Sequence, residues 1–362
     1  MARAGHHVIL VARRVTRAAA GPPPELPCEI RRFPQGTLPG FLQRLPSVDE
    51  TVYDRRLGRF LRRLVGEVQP TLVYERYSLF SLAGMRTARR AGIPSVLEVN
   101  APLALERQRH EGLRARRHAT GREREVLRSA DRIVAVSRWL QAHAVSLGVE
   151  PERVTVQPNG VDARAFAPRP RPEAPPALAA IDGRFIVGFC GSLKPWHDPA
   201  VLLRALAKTP ELADVALLVV GDGPGGPAAR ALATELGLDD RVVWAGALPA
   251  DQIPDQLALC DVICVPSPPT PDFYFSPLKL LEGMAMGRPV VATDIGDAAA
   301  VAGGGGAPGA LLVPPGDDTA LGAAILRIRQ DGELAQRLGA EGRRRAEQHT
   351  WDRVLAESLA GL

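Results

Sequence analysis

The sequence of 362 residues predicts an α/β protein that is built from two parallel-sheet domains. Short apolar, β-branched segments alternate with longer helical segments along the whole chain, which is typical of parallel sheets with helical crossovers. A segment rich in proline and alanine, "APRPRPEAPPALAAIDG" at 167–183, divides this pattern into two halves. Each half is long enough to bury a core of its own.

The individual strands follow from short apolar runs that end in turn residues. In the first half they are "HVILVA" (7–12), "TLVYER" (71–76), "PSVLEV" (94–99), "RIVAVS" (132–137) and "VTVQPN" (154–159). In the second half they are "FIVGFCG" (185–191), "ALLVVGDG" (216–223), "VVWAGAL" (242–248), "VICVPS" (262–267), "PVVATD" (289–294) and "GALLVP" (309–314). Helical segments such as "PAVLLRALAKTP" (199–210) follow them.

The domain boundaries follow from this order of elements. We expect a first domain at 1–166, a linker at 167–183 and a second domain at 184–345. Two Rossmann-like domains would face one another across a central cleft, which is the expected active site. A doubly wound domain opens on a buried strand and a glycine-rich turn. Because "MARAGHHV" looks like the last turn of the helix that follows them, we expect the first domain to lack its first strand.

Charge is divided between the same two halves. The residues up to Phe166 include 28 arginines and 16 acidic side chains, a net charge of +12, whereas the remainder has 17 basic and 24 acidic side chains, a net charge of −7. The arginine clusters "RRLGRFLRR" (55–63) and "RARRHATGRERE" (114–125) suit an anionic membrane surface or a phosphorylated acceptor, although a solvated helix face explains them equally well. Nucleic acid is disfavoured, because the clusters have little aromatic interleaving.

Cysteine usage and hydropathy indicate the compartment. The cysteines Cys28, Cys190, Cys260 and Cys264 have no metal-ligand spacing, and free thiols fit a reducing cytoplasm. No run of eighteen apolar residues predicts a membrane span. The segment "MARAGHHVILVARR" has a short apolar core without a cleavage signature.

Five turns marked by glycine or proline follow strands of the second half. They lie in "GFCGSLKPWHD" (188–198), "VVGDGPGGP" (219–227), "RVVWAGALP" (241–249), "CDVICVPS" (260–267) and "FYFSPLKLLEGMAMGRPVVATD" (273–294). All five would meet at one edge of the sheet, where ligands of such sheets bind. In the last of them a helix beginning near Ser276, with Pro277 in its first turn, offers amides to an anion such as a diphosphate. Glu282 could accept hydrogen bonds from sugar hydroxyls, and a simply capped helix is the alternative.

These ordered motifs resemble glycosyltransferase family 4, which comprises retaining transferases of the GT-B fold that use nucleotide-sugar donors. The resemblance covers most of the chain and is strongest from about Ala130 onward, through "SADRIVAVSRWLQ", "RVTVQPNGVDARAF", "LLVPPGDDTAL" and "EGRRRAEQHTWDRV". It implies that the second half binds the donor and that the acceptor lies mostly against the first half. It also implies that a final helix, at 346–362, crosses back to the first domain.

The resemblance also implies roles for the helix near Ser276. In the family's acidic motif the second glutamate, which matches Glu282, binds the donor ribose, and the backbone from Ser276 to Lys279 holds the diphosphate. The first glutamate is replaced by Tyr274, which implies altered handling of the sugar. The residues expected at the donor are Gly191, Ser192, His197, Gly221, Ala247, Leu248, Tyr274, Ser276, Pro277, Leu278, Lys279 and Glu282.

A second departure concerns the cations that neutralise the leaving diphosphate. Where the family has an arginine and a lysine, this chain has Ser192 and either Trp196 or His197. The nearest candidate cations are then Lys194 and Lys279, helped by the helix N-terminus and by His197 if it is protonated. For Lys194 a solvated turn residue is the alternative.

In the first half, polar residues at strand ends should face the cleft. Asn100 stands where family members commonly carry a histidine, and it could hydrogen-bond the donor sugar or the acceptor, as could Glu75 and Arg76. Helix caps are the alternative for such residues. The expected catalytic residues are therefore Lys194, Lys279, Glu282 and Asn100. Retention in the family is described as front-face displacement, so no general base is assigned.

The sequence thus predicts a cytoplasmic glycosyltransferase of the retaining type, peripheral on the inner membrane face. It would need no metal and no cofactor, since no Asp-X-Asp pair stands at a strand end. It would move a sugar from a UDP- or GDP-linked donor to a glycan or lipid-linked acceptor of cell-envelope or exopolysaccharide type. One alternative is a degenerate or truncated relative that binds nucleotide sugar without transfer. Another is a sugar-nucleotide epimerase on the same scaffold.

Overall fold

The computed structural model describes residues 1–12, 28–33, 48–110, 116–173, 178, 181, 183–194, 196–303 and 306–361. Its strands are β1 Ile9–Ala12, β2 Glu29–Arg32, β3 Val73–Arg76, β4 Ser95–Val99, β5 Arg132–Ala135, β6 Val154–Val156, β7 Ile186–Cys190, β8 Ala216–Val220, β9 Val242–Gly246, β10 Val262–Val265, β11 Val290–Thr293 and β12 Leu311–Val313.

The helices alternate with these strands. They are α1 Val48–Val68, α2 Ala83–Ala91, α3 Leu103–His110, α4 Arg116–Ser129, α5 Arg138–Ser146, α6 Pro199–Lys208, α7 Gly226–Glu235, α8 Ile253–Ala258, α9 Leu278–Ala285, α10 Ala298–Ala302, α11 Asp318–Gln330, α12 Gly332–Ala346 and α13 Trp351–Leu359. Among the helices described, none combines the length and apolar character that a membrane span requires.

The second half forms a parallel sheet of six strands in the order β12-β11-β10-β7-β8-β9. The chain therefore starts in the middle, moves outward to β9, and returns to the other side of β7 at β10. This is the doubly wound order, which places a topological switch point between β7 and β10. All five residues of β8 are buried, because helices cover both faces of such a sheet.

The first half contains a parallel sheet of four strands in the order β3-β4-β5-β6 and a separate parallel pair, β1 and β2. Within the described residues, no hydrogen bonds join the β1–β2 pair to the four-stranded sheet. The expected α/β architecture of two parallel-sheet units is confirmed. The expected domain boundaries at residues 166, 183 and 345 stay predictions.

Every strand predicted from the sequence is present, although each observed strand is one to three residues shorter than predicted. β2 was not predicted, because the segment "EIRR" carries one apolar side chain among charged ones. The helix α9 begins at Leu278 with Pro277 as its N-cap residue, two residues later than the predicted start near Ser276. Part of the arginine cluster at 114–125 and part of the predicted linker lie outside the described residues.

Loops and hydrogen bonds join the two halves. The hydroxyl of Ser137 donates to the carbonyl of Tyr274 at 2.8 Å, and the amide of Arg138 donates to Asp297 Oδ2 at 2.9 Å. Near the C-terminus, Val161 forms an isolated parallel bridge with Thr350. The loop after β10 therefore lies directly against the first half.

Candidate active site

The candidate site lies at the switch point of the six-stranded sheet, where the chain leaves β7 and β10. The turn after β7 carries Gly191, Ser192 and Lys194, and the loop after β10 leads through Tyr274 and Ser276 into α9. The glycine turn after β8 completes this edge. The ordered turns predicted from the sequence thus meet at one edge of one sheet.

Two glycines allow these turns to approach closely. Gly221 has a φ of 134°, and a Cβ there would lie 2.8 Å from the carbonyl carbon of Gly191. A Cβ on Gly191 would overlap the side chain of Lys279, with Nζ 3.1 Å away. Larger residues at either position would therefore displace backbone or the lysine.

Lys279 projects from the first turn of α9 across the end of β7 to the imidazole of His197. Its Nζ lies 2.9 Å from His197 Nε2, while His197 Nδ1 contacts the carbonyl oxygen of Ser192. The Ser192 hydroxyl is 3.3 Å from the same nitrogen. Burial and the neighbouring Lys279 lower the pKa of His197 to about 4, so the ring is neutral at pH 7. His197 therefore does not carry the positive charge that the sequence suggested for it.

Glu282 lies one turn further along α9, on the same side as Lys279. Burial raises the pKa of Glu282 to about 7, and the charge of Lys279 opposes that rise. Burial lowers the pKa of Lys279 in turn. No hydrogen bond joins the Glu282 carboxylate to another described residue, which leaves its oxygens free to accept from ligand hydroxyls.

The start of α9 has no side-chain cap. The Ser276 hydroxyl instead accepts from the amide of Asn159, at 2.9 Å, across the boundary between the halves. Pro277 and Leu278 are partly buried beside it. The amide of Leu278 donates to the carbonyl of Ser276 at 2.8 Å. It is therefore the later amides of the first turn that, with the positive dipole end of the helix, can meet an anion.

Lys194 is the more exposed of the two candidate cations. Its Nζ lies 4.9 Å from the ring centroid of Trp196, which stacks on Phe275 at 5.4 Å. A cation held over an aromatic face near the rim of the site is compatible with a ligand contact. It is not in contact with the buried pair of Lys279 and Glu282.

Tyr274 points away from Lys279 and into the core of the first half. Its hydroxyl donates to Glu106 of α3, and its ring lies 5.8 Å from that of Trp139 of α5. Burial raises the pKa of Tyr274 above its ordinary value. Arg109 and Asp272 form an ion pair beside it. Tyr274 thus fastens the loop after β10 to the first half.

Asn100 lies just beyond β4 in the first half and is partly buried. Its Nδ2 donates to Glu98 Oε1, and the hydroxyl of Tyr74 donates to the other oxygen of Glu98 at 2.8 Å. Glu98 therefore orients the side-chain amide of Asn100. The amide oxygen of Asn100 can still accept a hydrogen bond.

Glu75 packs inside the first half, contrary to the expectation that it faces the cleft. Its Oε1 accepts from Ser81 at 3.0 Å, and its Oε2 is buried with no partner among the described residues. A Cβ on Gly84 would lie 3.0 Å from its Cδ. Burial raises the pKa of Glu75 to about 7.

Ala247 is exposed and Leu248 partly buried at the turn after β9, on the same edge of the sheet. The structure adds residues that the sequence did not single out, namely Glu98, Glu106, Ser137 and Asp297. Ser137 had a local signal, because it follows β5 and caps α5. Glu106 and Asp297 act through partners that are distant in sequence. Glu98 joins Tyr74 to its near neighbour Asn100.

Comparison with known proteins shows which family the chain is similar to. Residues 184–331 match the family Glycosyl transferases group 1, and residues 1–165 match Glycosyltransferase Family 4. D-inositol 3-phosphate glycosyltransferase of Stackebrandtia nassauensis is 30% identical over 310 residues, which cover 80% of this chain and 67% of that enzyme. MMP alpha-(1->4)-mannosyltransferase of Mycolicibacterium hassiacum is 30% identical over 294 residues, which cover 76% and 67%. The match to the Kribbella flavida D-inositol 3-phosphate glycosyltransferase spans 57% of that enzyme.

Solved structures share the fold. Anabaena HepE in complex with UDP and glucose has a TM-score of 0.67 at 22% identity, over 92% of this chain and 87% of that one. A glycosyltransferase from Rickettsia africae has a TM-score of 0.72 at 16% identity, over 100% and 92%. The chain therefore belongs to the glycosyl transferases of group 1 and family 4, and its two parallel-sheet units form the GT-B fold.

Proposed function

We propose that this glycosyltransferase moves a sugar from a UDP- or GDP-linked donor to a glycan or lipid-linked acceptor with retention of configuration. The observation that carries the proposal is the cluster at the switch point, where Lys279, Glu282 and the open start of α9 lie at one sheet edge. A pyrophosphate needs positive charge and amides, and a ribose needs hydrogen-bond acceptors. This cluster offers both.

In this mechanism the charge that develops on the leaving diphosphate is met by groups already in place. The Lys279 ammonium and the amides of α9 supply the stabilisation, without a metal ion, and removing one such group costs about 10²–10³ in kcat. Lys194 neutralises the outer phosphate from the rim. Asn100, oriented by Glu98, hydrogen-bonds the sugar or the acceptor from the other side of the cleft.

The relatives support the substrate class. The curated proteins named above are an inositol 3-phosphate glycosyltransferase and a mannosyltransferase, and the HepE structure holds UDP and glucose. We infer an acceptor of the cell-envelope or exopolysaccharide type and a cytoplasmic location, with the basic first half against an anionic membrane surface.

Nucleotide binding and transfer can be measured separately. We expect UDP or GDP, and their sugar conjugates, to raise the melting temperature of the protein. We expect Glu282→Ala to weaken nucleotide binding at least tenfold, which is about the loss of one or two hydrogen bonds to a charged group. Glu333→Ala is the matched control, because that side chain is 89% exposed on α12. Transfer is then followed by mass spectrometry with a panel of donors and acceptors, with and without EDTA.

Each outcome has a distinct meaning. No stabilisation by any nucleotide sugar would overturn the proposal. Binding without transfer or hydrolysis would favour a non-catalytic binding protein, and conversion of one nucleotide sugar into its epimer would favour an epimerase. Loss of transfer in EDTA would refute the metal-independent mechanism.

A further inference from the structure

Because His197 is neutral at pH 7, its contacts with Lys279 and Ser192 are satisfied by only one of the two imidazole tautomers. The carbonyl of Ser192 can only accept, so His197 Nδ1 must carry the hydrogen that faces it. His197 Nε2 then has a free lone pair, which accepts from the Lys279 ammonium 2.9 Å away. Two hydrogen bonds in series thus connect the Lys279 ammonium, the neutral imidazole of His197 and the backbone carbonyl of Ser192.

The surroundings hold this imidazole in place. The His197 ring makes edge-to-face contacts with Phe189 of β7, with ring centroids 6.4 Å apart, and with Trp196, at 6.2 Å. Lys279 is constrained as well, because its side chain fills the space where Gly191 lacks a Cβ. Neither side chain is free to turn away without losing contacts.

We propose that His197 is a positioning residue, whose neutral Nε2 holds the Lys279 ammonium over Gly191, where the leaving diphosphate lies. The inference rests on the proposed function for its consequence in catalysis, but the contact itself stands without it. A lysine has many rotamers, and a fixed acceptor reduces the entropy lost when the ammonium meets the phosphate. The imidazole thus acts through the lysine and not on the substrate.

The charged and titratable groups that face this pair are few among the described residues. Lys279 faces Glu282 from its own helix, Cys190 from β7 and His197 from the loop after β7. His197 faces Lys279 and, at longer range, Lys194. An acceptor against the ammonium favours its charged form, so loss of the imidazole should lower the pKa of Lys279 further.

Two substitutions separate positioning from packing. His197→Gln places an acceptor oxygen near the position of Nε2, whereas His197→Met fills similar space without a strong acceptor. We expect His197→Met to lose about 10- to 100-fold in kcat with little change in KM, the cost of a hydrogen bond to a charged group, and His197→Gln to recover most of it. His7→Met is the control, because that histidine side chain is 78% exposed.

The pH profile gives a second kinetic readout. In His197→Met the fall of kcat at alkaline pH should begin at lower pH than in the unmodified protein, because Lys279 loses its proton earlier. His197→Gln should keep the original profile. Equal activity and equal profiles for both variants would overturn the inference while leaving the glycosyltransferase assignment intact.

Nitrogen NMR of the full chain tests the contact without any transfer assay. At pH 7 we expect His197 to be neutral, with its hydrogen on Nδ1, and the resonance of Nε2 to move toward that of an unbonded nitrogen in Lys279→Met. A protonated Nε2, or an Nε2 resonance that does not respond to Lys279→Met, would overturn the inference. Absence of transfer with the expected NMR result would instead refute the proposed function.

Discussion

At the scale of single residues, the site depends on burial that alters proton affinities. Glu282 and Lys279 lie one turn apart on α9. Burial raises the pKa of Glu282 and lowers the pKa of Lys279, so it favours the neutral form of each group. The two charges partly compensate each other, which keeps a carboxylate and an ammonium available in a partly enclosed site.

The carboxylate of Glu282 gives a prediction on pH. Its pKa of about 7 means that the group is largely protonated at pH 5.5 and ionised at pH 8.5. Because the ionised form accepts hydrogen bonds from two ribose hydroxyls, nucleotide affinity should rise with pH through about 7. Calorimetric titrations of UDP or GDP across this range measure the dependence. The dependence should disappear in Glu282→Gln, and an equally steep rise in that variant would refute the ribose assignment.

At the scale of elements, the loop between β10 and α9 is the part that meets both halves. Tyr274 is buried with the core of the first half, and Ser137, Glu106 and Arg109 hold the loop by hydrogen bonds or an ion pair. The loop's position, and hence the start of α9, is therefore set by α3 and α5.

Removing one hydroxyl tests this attachment. Tyr274→Phe keeps the ring against Trp139 and leaves Glu106 without its donor, so we expect the free energy of unfolding to fall by about 1–2 kcal/mol. Nucleotide affinity should fall as well, since α9 loses part of its support. Denaturant unfolding and binding titrations measure the two effects, with Glu106→Gln, which retains an acceptor, as the milder comparison. Unchanged stability in Tyr274→Phe would show that the hydroxyl contributes nothing to the attachment.

At the scale of the whole molecule, charge is segregated between the halves. Arginines of α2 and α4, namely Arg86, Arg89, Arg124 and Arg128, line a shallow groove on the first half. Glu125 also lines it and pairs with Arg86 at 2.6 Å. The groove is an exposed basic surface on the half that the acceptor is proposed to use.

Vesicle binding tests whether this surface meets a membrane. We expect the protein to bind vesicles that contain phosphatidylglycerol and not vesicles of phosphatidylcholine alone, with affinity that falls as salt rises. Replacing Arg89 and Arg124 by Gln should cost about 1 kcal/mol per arginine. The same replacement of Arg327 and Arg337 in the second half is the control. Equal losses from both double variants would contradict a specific basic face.

Periodicity and turn chemistry are local properties, so the sequence was enough to predict most strand positions along the chain, the glycine turns and the helix that carries Lys279 and Glu282. The family also followed from these ordered motifs. β2 was not predicted, because its charged residues give no apolar pattern.

The roles of several candidate site residues followed only from contacts made in the folded protein. The hydroxyl of Tyr274 donates to Glu106, the carboxyl group of Glu75 is buried beside α2, and the neutral imidazole of His197 contacts Lys279. Each outcome depends on which side chain, distant in the chain, reaches the same place, and on how much water that place excludes. Burial sets the pKa of a group and partner geometry sets its hydrogen bonds, and neither is encoded in local sequence.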